Sequence, residues 1–277
     1  MIAARPYAPH PVVVGKGRLG NALAGGLGFA VPVVAHVAGR AALHDPALVA
    51  ETVRGAGSAV VLLLAVRDDA ILPLAEALAA VTEATPPGAT VLHLSGALGL
   101  QALAPLASRG FAVGSCHPLQ TFTGSAGDAA RFRGIAFGVD GDDGGLAAAE
   151  RLASLLGGWS IRVPGPRRGL YHLAASLGAN GLTGLVGAAR DALVAAGLEP
   201  AEALVALGPL LRAALDEALD FGPEAALTGP TARGDVATVW RHRQEVFAWD
   251  ACRTALLEAL LAEQARLTRR RTPGGGC

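Results

Sequence analysis

Short apolar runs alternate with stretches of helical periodicity over the first 165 positions, and then the alternation stops. The runs at 11–14, 31–37, 58–66, 89–94, 111–114, 135–139 and 159–163 read as strands. The 58–66 run, SAVVLLLAV, is apolar almost throughout, as a strand covered on both faces must be. Helical patterns at 21–27, 69–84, 98–108 and 145–156 lie between the strands, which predicts an α/β domain with a doubly wound, mainly parallel sheet. After Pro164-Gly165-Pro166 the chain turns to long Ala/Leu-rich segments at 169–196, 200–219, 235–248 and 251–268, with no strand signal. The expectation is therefore two domains, an α/β domain at 1–165 and an all-helical domain at 166–277. The end of the chain, RRRTPGGGC at 269–277, reads as a disordered, solvated tail.

The first apolar run feeds directly into Gly15-Lys16-Gly17-Arg18-Leu19-Gly20 and then into an Ala/Leu-rich helix. This is the strand–turn–helix setting that a dinucleotide-binding G-x-G-x-x-G requires, and it makes the α/β domain Rossmann-type. The first glycine permits the tight turn, the second lets backbone approach a pyrophosphate, and the third lets helix and strand pack closely. The pyrophosphate would face the unpaired N–H groups at the helix start.

The end of the second strand decides between the two nicotinamide dinucleotides. An NAD-selective fold places an acid there to accept from the ribose 2′-hydroxyl. Here the chain reads His36-Val37-Ala38-Gly39-Arg40, and the first acid is Asp45. A missing carboxylate with Arg40 at hand favours the 2′-phosphate of NADP(H), which a guanidinium binds bidentately; otherwise Arg40 is a solvated turn residue. At the exit of the 58–66 strand, the backbone around Val66 borders the nicotinamide ribose, while Asp68 and Asp69 are helix-capping candidates.

Charge narrows the partners. With 23 basic and 23 acidic residues the net charge is zero, so neither nucleic acid nor an acidic membrane surface is favoured. No apolar run has the length of a membrane span, and the N-terminus lacks the pattern of a signal peptide. Cys116, Cys252 and Cys277 show no metal-ligand spacing, and their odd number argues against a disulfide framework, so a reducing, cytoplasmic setting and no metal are expected. Lys16 is the only lysine, already placed in the glycine turn, so a mechanism needing another lysine has none to use.

Four polar clusters stand out from the Ala/Leu background. In His93-Leu94-Ser95-Gly96-Ala97, Ser95 is either a polar contact at the sheet's ligand edge or a turn-stabilising hydroxyl. In Ser115-Cys116-His117-Pro118-Leu119-Gln120, His117 is a proton donor candidate with Gln120 beside it. His172, Ser176 and Asn180 are spaced i, i+4, i+8 on one predicted helix, so they share a face, and a mid-helix Asn is disfavoured without a reason. In Leu227-Thr228-Gly229-Pro230-Thr231-Ala232-Arg233-Gly234-Asp235, Thr228 offers a hydroxyl, Arg233 a fork suited to a carboxylate, and Asp235 a helix cap.

Taken together, GKGRLG, AVRDDAI, HLSGAL, GSCHPLQTF, FRGIAFGVDG, RGLYHLAASLGAN and ALTGPTARGD resemble a bacterial family of proposed NADP oxidoreductases, over about residues 11–262. Its members pair a Rossmann-like domain with a helical C-terminal domain of unknown function. More distantly the chain is similar to pyrroline-5-carboxylate reductases, deazaflavin-dependent NADP reductases and 6-phosphogluconate-type dehydrogenases. The resemblance implies a site between the Rossmann edge and the helical domain, and a homodimer. It also implies a small-molecule substrate, with ketopantoate a candidate 2-oxo acid. The helix lysine used by many hydroxyacid dehydrogenases is absent, so that mechanism does not carry over.

The expected activity is NADPH-dependent reduction of a small carboxylate-bearing carbonyl or imine. His117 or His172 would supply the proton, Ser176 and Asn180 would orient the reacting oxygen, and Ser95, Gln120, Thr228 and Arg233 would contact substrate. The competing expectation is a non-catalytic NADP-binding sensor or partner protein whose histidines are structural.

Overall fold

The computed structural model describes residues 10–57 and 59–271. Residues 272–277 of the expected tail, with Cys277, lie outside the described residues, as does Ser58 at the head of the third expected strand.

Seven strands, β1 (His10–Val14), β2 (Ala35–Val37), β3 (Val60–Leu64), β4 (Thr90–His93), β5 (Ala112–Pro118), β6 (Ala136–Gly141) and β7 (Trp159–Arg162), form one sheet in the order β2-β1-β3-β4-β5-β6-β7. Every described pairing is parallel except β5 with β6. Val12, Val13 and Val14 of β1 and Leu62, Leu63 and Leu64 of β3 are buried because helical layers cover both faces of the sheet. One layer comprises α2 (Gly39–His44), α3 (Pro46–Gly55), α4 (Asp68–Val81) and the short α5 (Ala104–Ala107); the other is α1 (Arg18–Gly28) and α6 (Asp143–Leu155). Local chemistry sets the helix starts. Asp45 caps α3 ahead of Pro46, and Asp142 caps α6 through Gly145 N while its second oxygen takes the N–H of Val113 on β5.

The structure corrects several expected boundaries. Residues 31–34 are not strand: Val31 donates back to Leu27 O in the turn leaving α1, Pro32 follows, and only Ala35–Val37 pairs with β1. The 98–108 helix is a 3₁₀ turn (Leu100–Leu103) followed by α5, whose start holds Pro105. The strand expected at 111–114 runs on to Pro118, because antiparallel β6 pairs with Ser115, Cys116, His117 and Pro118, so these four residues of the polar cluster are strand. Helices α2 and α3 fill a stretch where no element was expected.

The described chain divides into two compact units, one ending at Asn180 and the other starting at Gly181. This break falls later than the Pro164–Pro166 change of pattern. Helix α7 (Arg168–Ser176) belongs with the sheet because hydrogen bonds tie Arg168 to Ser95, just after β4, and Tyr171 to His117 of β5. It continues through a π-turn (Leu177–Gly181) into α8 (Leu182–Ala195). The second unit is helical: α8, α9 (Pro200–Phe221), α10 (Pro223–Ala226), α11 (Gly229–Arg233), α12 (Val236–Trp249) and α13 (Thr254–Arg271). Ion pairs join them, with Arg243 on Glu258, and Arg253 on both Asp191 and Asp250 while stacked over Trp249. Arg269, Arg270 and Arg271, expected in the tail, are the last turn of α13, where cations suit the helix dipole.

Candidate active site

The glycine turn has three different environments. Gly15 has φ +127°, and a Cβ on it would meet Ala65 O at 2.1 Å. A Cβ on Gly20 would meet Gly15 O at 1.9 Å, so this residue lets α1 pack against its own entry turn. A Cβ on Gly17 would meet nothing within 4 Å beyond its chain neighbours. Two glycines thus satisfy internal packing and the middle one leaves its space open, as the approach of a pyrophosphate to the start of α1 requires. Lys16, Gly17 and Arg18 are exposed there, with Leu19 half-buried. The His36 ring donates from Nε2 to Gly15 O at 2.8 Å, fixing the turn to the end of β2.

Gly39 opens α2, and a Cβ on it would press on Val66 Cγ1 at 2.7 Å, so these two residues pack together at the carboxyl edge. Arg40 follows, exposed, and no acid stands between the end of β2 and Asp45, which is spent on capping α3. Asp68 and Asp69 lie in the first turn of α4 without making a side-chain cap; Asp69 instead holds Arg67 through two hydrogen bonds, at 3.1 and 2.9 Å.

His117 and His172 are brought together, their ring centroids 6.0 Å apart and nearly perpendicular. Between them comes the backbone of Gly96: a Cβ there would stand 2.9 Å from His117 Nε2 and 2.8 Å from His172 Cδ2. The Tyr171 hydroxyl lies 3.0 Å from His117 Nδ1. Burial, then the positive charges of His172 and Arg168, push His117 down to about 4, so the ring is neutral at pH 7. The Tyr171 hydroxyl also lies within donating distance of His117 O, at 3.4 Å; when Nδ1 accepts its proton, the neutral ring carries its own proton on Nε2, facing Gly96 and His172.

Arg168 anchors this arrangement from below. It is fully buried and donates to Ser95 O at 2.8 Å and to Val163 O at 3.4 Å. Next to it His93 is fully buried, with neither ring nitrogen in a normal hydrogen bond; burial and then the Arg168 charge lower it to about 3. Ser115, its register partner on β5, also has a buried hydroxyl without a partner. The Cys116 thiol is held far above its ordinary range by complete burial, so it is an inert core group.

The remaining candidates have more local roles. Ser95 Oγ accepts from the N–H groups of Ala97 and Leu98, both at 3.1 Å, so its hydroxyl stabilises the turn that presents Gly96. Gln120 is exposed, its Oε1 taking the N–H of Thr121. Ser176 is half-buried and Asn180 exposed, the latter inside the π-turn. An α-helix drifts about 40° over four residues, and the wider π-turn takes up that drift, keeping Asn180 near the face of His172. Thr228 and Arg233 bound α11 in the second unit, where Asp235 caps α12 through Thr238 N at 3.0 Å. Sequence reasoning passed over Tyr171, Arg168 and His93 as site residues. The only local signal was a Tyr directly before His172 and an Arg pair ahead of an apolar helix.

Two family models match the chain: a Rossmann-like domain over residues 10–118 and a Domain of unknown function (DUF2520) over residues 135–263. The protein thus joins a Rossmann-like domain to a DUF2520 domain. Its fold is similar to that of protein TM1727 from Thermotoga maritima (TM-score 0.70, 22% identity, 94% of this chain and 98% of that one). It is also similar to a proposed NADP oxidoreductase from Bacteroides fragilis (TM-score 0.68, 19% identity, 93% and 98%). A third likeness is to pyrroline carboxylate reductase of Plasmodium falciparum, solved with NADP bound (TM-score 0.58, 10% identity, 94% and 98%). No curated protein matches the chain.

Proposed function

We propose that the protein is an NADPH-dependent reductase of a small carbonyl or imine that carries a carboxylate. The observation that carries this reading is one unit holding both an open glycine turn at the start of α1 and a paired His117 and His172 beyond the carboxyl end of β4. The proteins of like fold that act on or bind NADP support it. Gly15, Lys16, Gly17, Arg18, Leu19 and Gly20 would hold the pyrophosphate, and Arg40, with no acid at the end of β2, would meet the 2′-phosphate. When bound, NADPH supplies the hydride.

The chain's own groups then handle the proton. His117 presents Nε2–H as a neutral donor to the oxygen or nitrogen that gains charge as hydride arrives, and Tyr171 fixes the tautomer that makes this possible. His172, exposed on the opposite side of Gly96, is the group placed to pass a proton from solvent to that oxygen or nitrogen while His117 holds it by a hydrogen bond. The charges that act on His117 are those of His172 and Arg168, both positive, while the Asp140 carboxylate acts on Arg168; the setting at His117 favours an anionic substrate. Ketopantoate is the first 2-oxo acid to test.

We also propose a homodimer of the cytoplasm. Among the described residues of the second unit only Ala203, Leu207 and Leu261 are buried. Val205, Leu219 and Phe221 of α9 and Trp240 and Phe247 of α12 stay more than half exposed, an apolar surface that a second copy would cover. Among the described residues no helix is long and apolar enough to cross a membrane.

The test follows NADPH absorbance with ketopantoate, other 2-oxo acids and cyclic imines, in the wild type and in His117→Gln and His172→Gln. Oxidation by at least one substrate, lost in one variant with cofactor affinity kept, is expected. Cofactor binding without turnover on any of them points to the sensor instead, and full turnover in both variants removes the histidines from the chemistry.

A further inference from the structure

We propose a second ligand site at the amino end of the sheet, built to take a small carboxylic acid with an apolar tail. A cavity of about 150 Å³ opens there, between the end of α1 and the flank of α6. Its walls include Pro11, Val61, Leu63, Leu27 and Leu152, all apolar. The amino ends of β1, β3 and β4 form its floor, whereas the glycine turn leaves the carboxyl end of β1 and His117 lies on β5 beyond the carboxyl end of β4. A five-residue strand spans about 17 Å, so the two places are separate.

Two polar side chains break the apolar lining: Thr90, whose hydroxyl donates to Gly88 O at 3.4 Å, and Arg151. Arg151 of α6 borders the cavity, and its Nε–H is buried without a hydrogen-bond partner. A buried, unsatisfied donor on a cation is costly, and the Nε edge of a guanidinium is the one that grips a carboxylate through two parallel hydrogen bonds. The backbone at the cavity is also strained. Ala59 has φ +62°, the left-handed region that alanine avoids, and Gly88 lines the cavity from the turn before β4. Strain of this kind gathers where a structure shapes a ligand site. A cavity of this volume holds about six carbons, the size of benzene, so the tail is of that length. An acid such as hexanoate places its carboxylate on Arg151 and its chain against Leu63 and Leu152.

Calorimetric titration of hexanoate and of hexan-1-ol into the full-length chain tests this. Hexanoate is expected to bind the wild type, and Arg151→Gln to weaken it about 10-fold while leaving the weaker alcohol unchanged. Ala148→Phe, which fills the cavity, is expected to abolish both, with circular dichroism melting showing each variant folded. Failure of hexanoate to bind the wild type, or equal binding to Arg151→Gln, overturns the proposal. So does retained binding in a folded Ala148→Phe, which would place the acid elsewhere on the chain.

Discussion

The Tyr171 hydroxyl stands 3.0 Å from His117 Nδ1, a contact between residues 54 positions apart. When Nδ1 accepts from this hydroxyl, the proton of the neutral ring sits on Nε2, which faces Gly96. In Tyr171→Phe the ring is free to change tautomer and to turn. Turnover is expected to fall about 10- to 100-fold with NADPH affinity unchanged, as steady-state kinetics beside a binding titration will show. An unchanged turnover would leave Tyr171 a packing residue.

Gly96 is the narrowest point of the candidate site. A methyl group there meets both histidine rings at under 3 Å, so Gly96→Ala must move at least one of them. A displacement of that order costs about 100-fold in rate when geometry governs the step. Unfolding measurements should show a far smaller effect, because the rings and not backbone atoms give way.

The three glycines of the turn separate stability from binding. Gly20→Ala drives a methyl into the Gly15 carbonyl and should destabilise the fold by about 3 kcal/mol or more. Gly17→Ala points into open space and should cost under about 1 kcal/mol, while weakening NADPH at least 10-fold. Urea unfolding and cofactor titration of the two variants give opposite rankings if the middle glycine faces the pyrophosphate.

Acid should weaken the protein before carboxylates titrate. His117 and His93 are lowered in the folded state to about 4 and about 3, from an ordinary value of 6.5. Between those values the unfolded chain binds protons that the folded chain refuses. Their stabilising contribution is complete above pH 6.5 and is lost as pH falls toward 4. Each ring adds a slope of about 1.4 kcal/mol per pH unit. Thermal unfolding from pH 6.5 to 5 measures it, and His93→Leu should reduce the slope to that of one ring.

Much of this architecture was legible in the chain because its signals are local. The roles of Gly15, Gly17 and Gly20 depend on a strand before and a helix after, both written within twenty residues. The direction of β6 was not legible: residues 136–141 pair equally well either way, and the long connection from β5 without a crossover helix makes the pair antiparallel. For Ser95 the sequence leaves open a ligand contact or a turn-stabilising hydroxyl, and the hydroxyl accepts within its own turn; the Gln120 amide oxygen likewise takes the N–H of Thr121. Arg168 reaches Ser95 across 73 residues, a contact no window of sequence contains. Asn180 is a poor residue for a helix interior, and the backbone widens into a π-turn at that place.

The exposed turn between Gly15 and Gly17 carries the chain's single lysine. Apart from the amino terminus, an acylating reagent therefore has one amine to mark, and that amine lies where the dinucleotide is proposed to rest. Occupancy of the turn becomes readable as a mass: peptide 16 keeps its native weight when a ligand shields it and gains the label when none does.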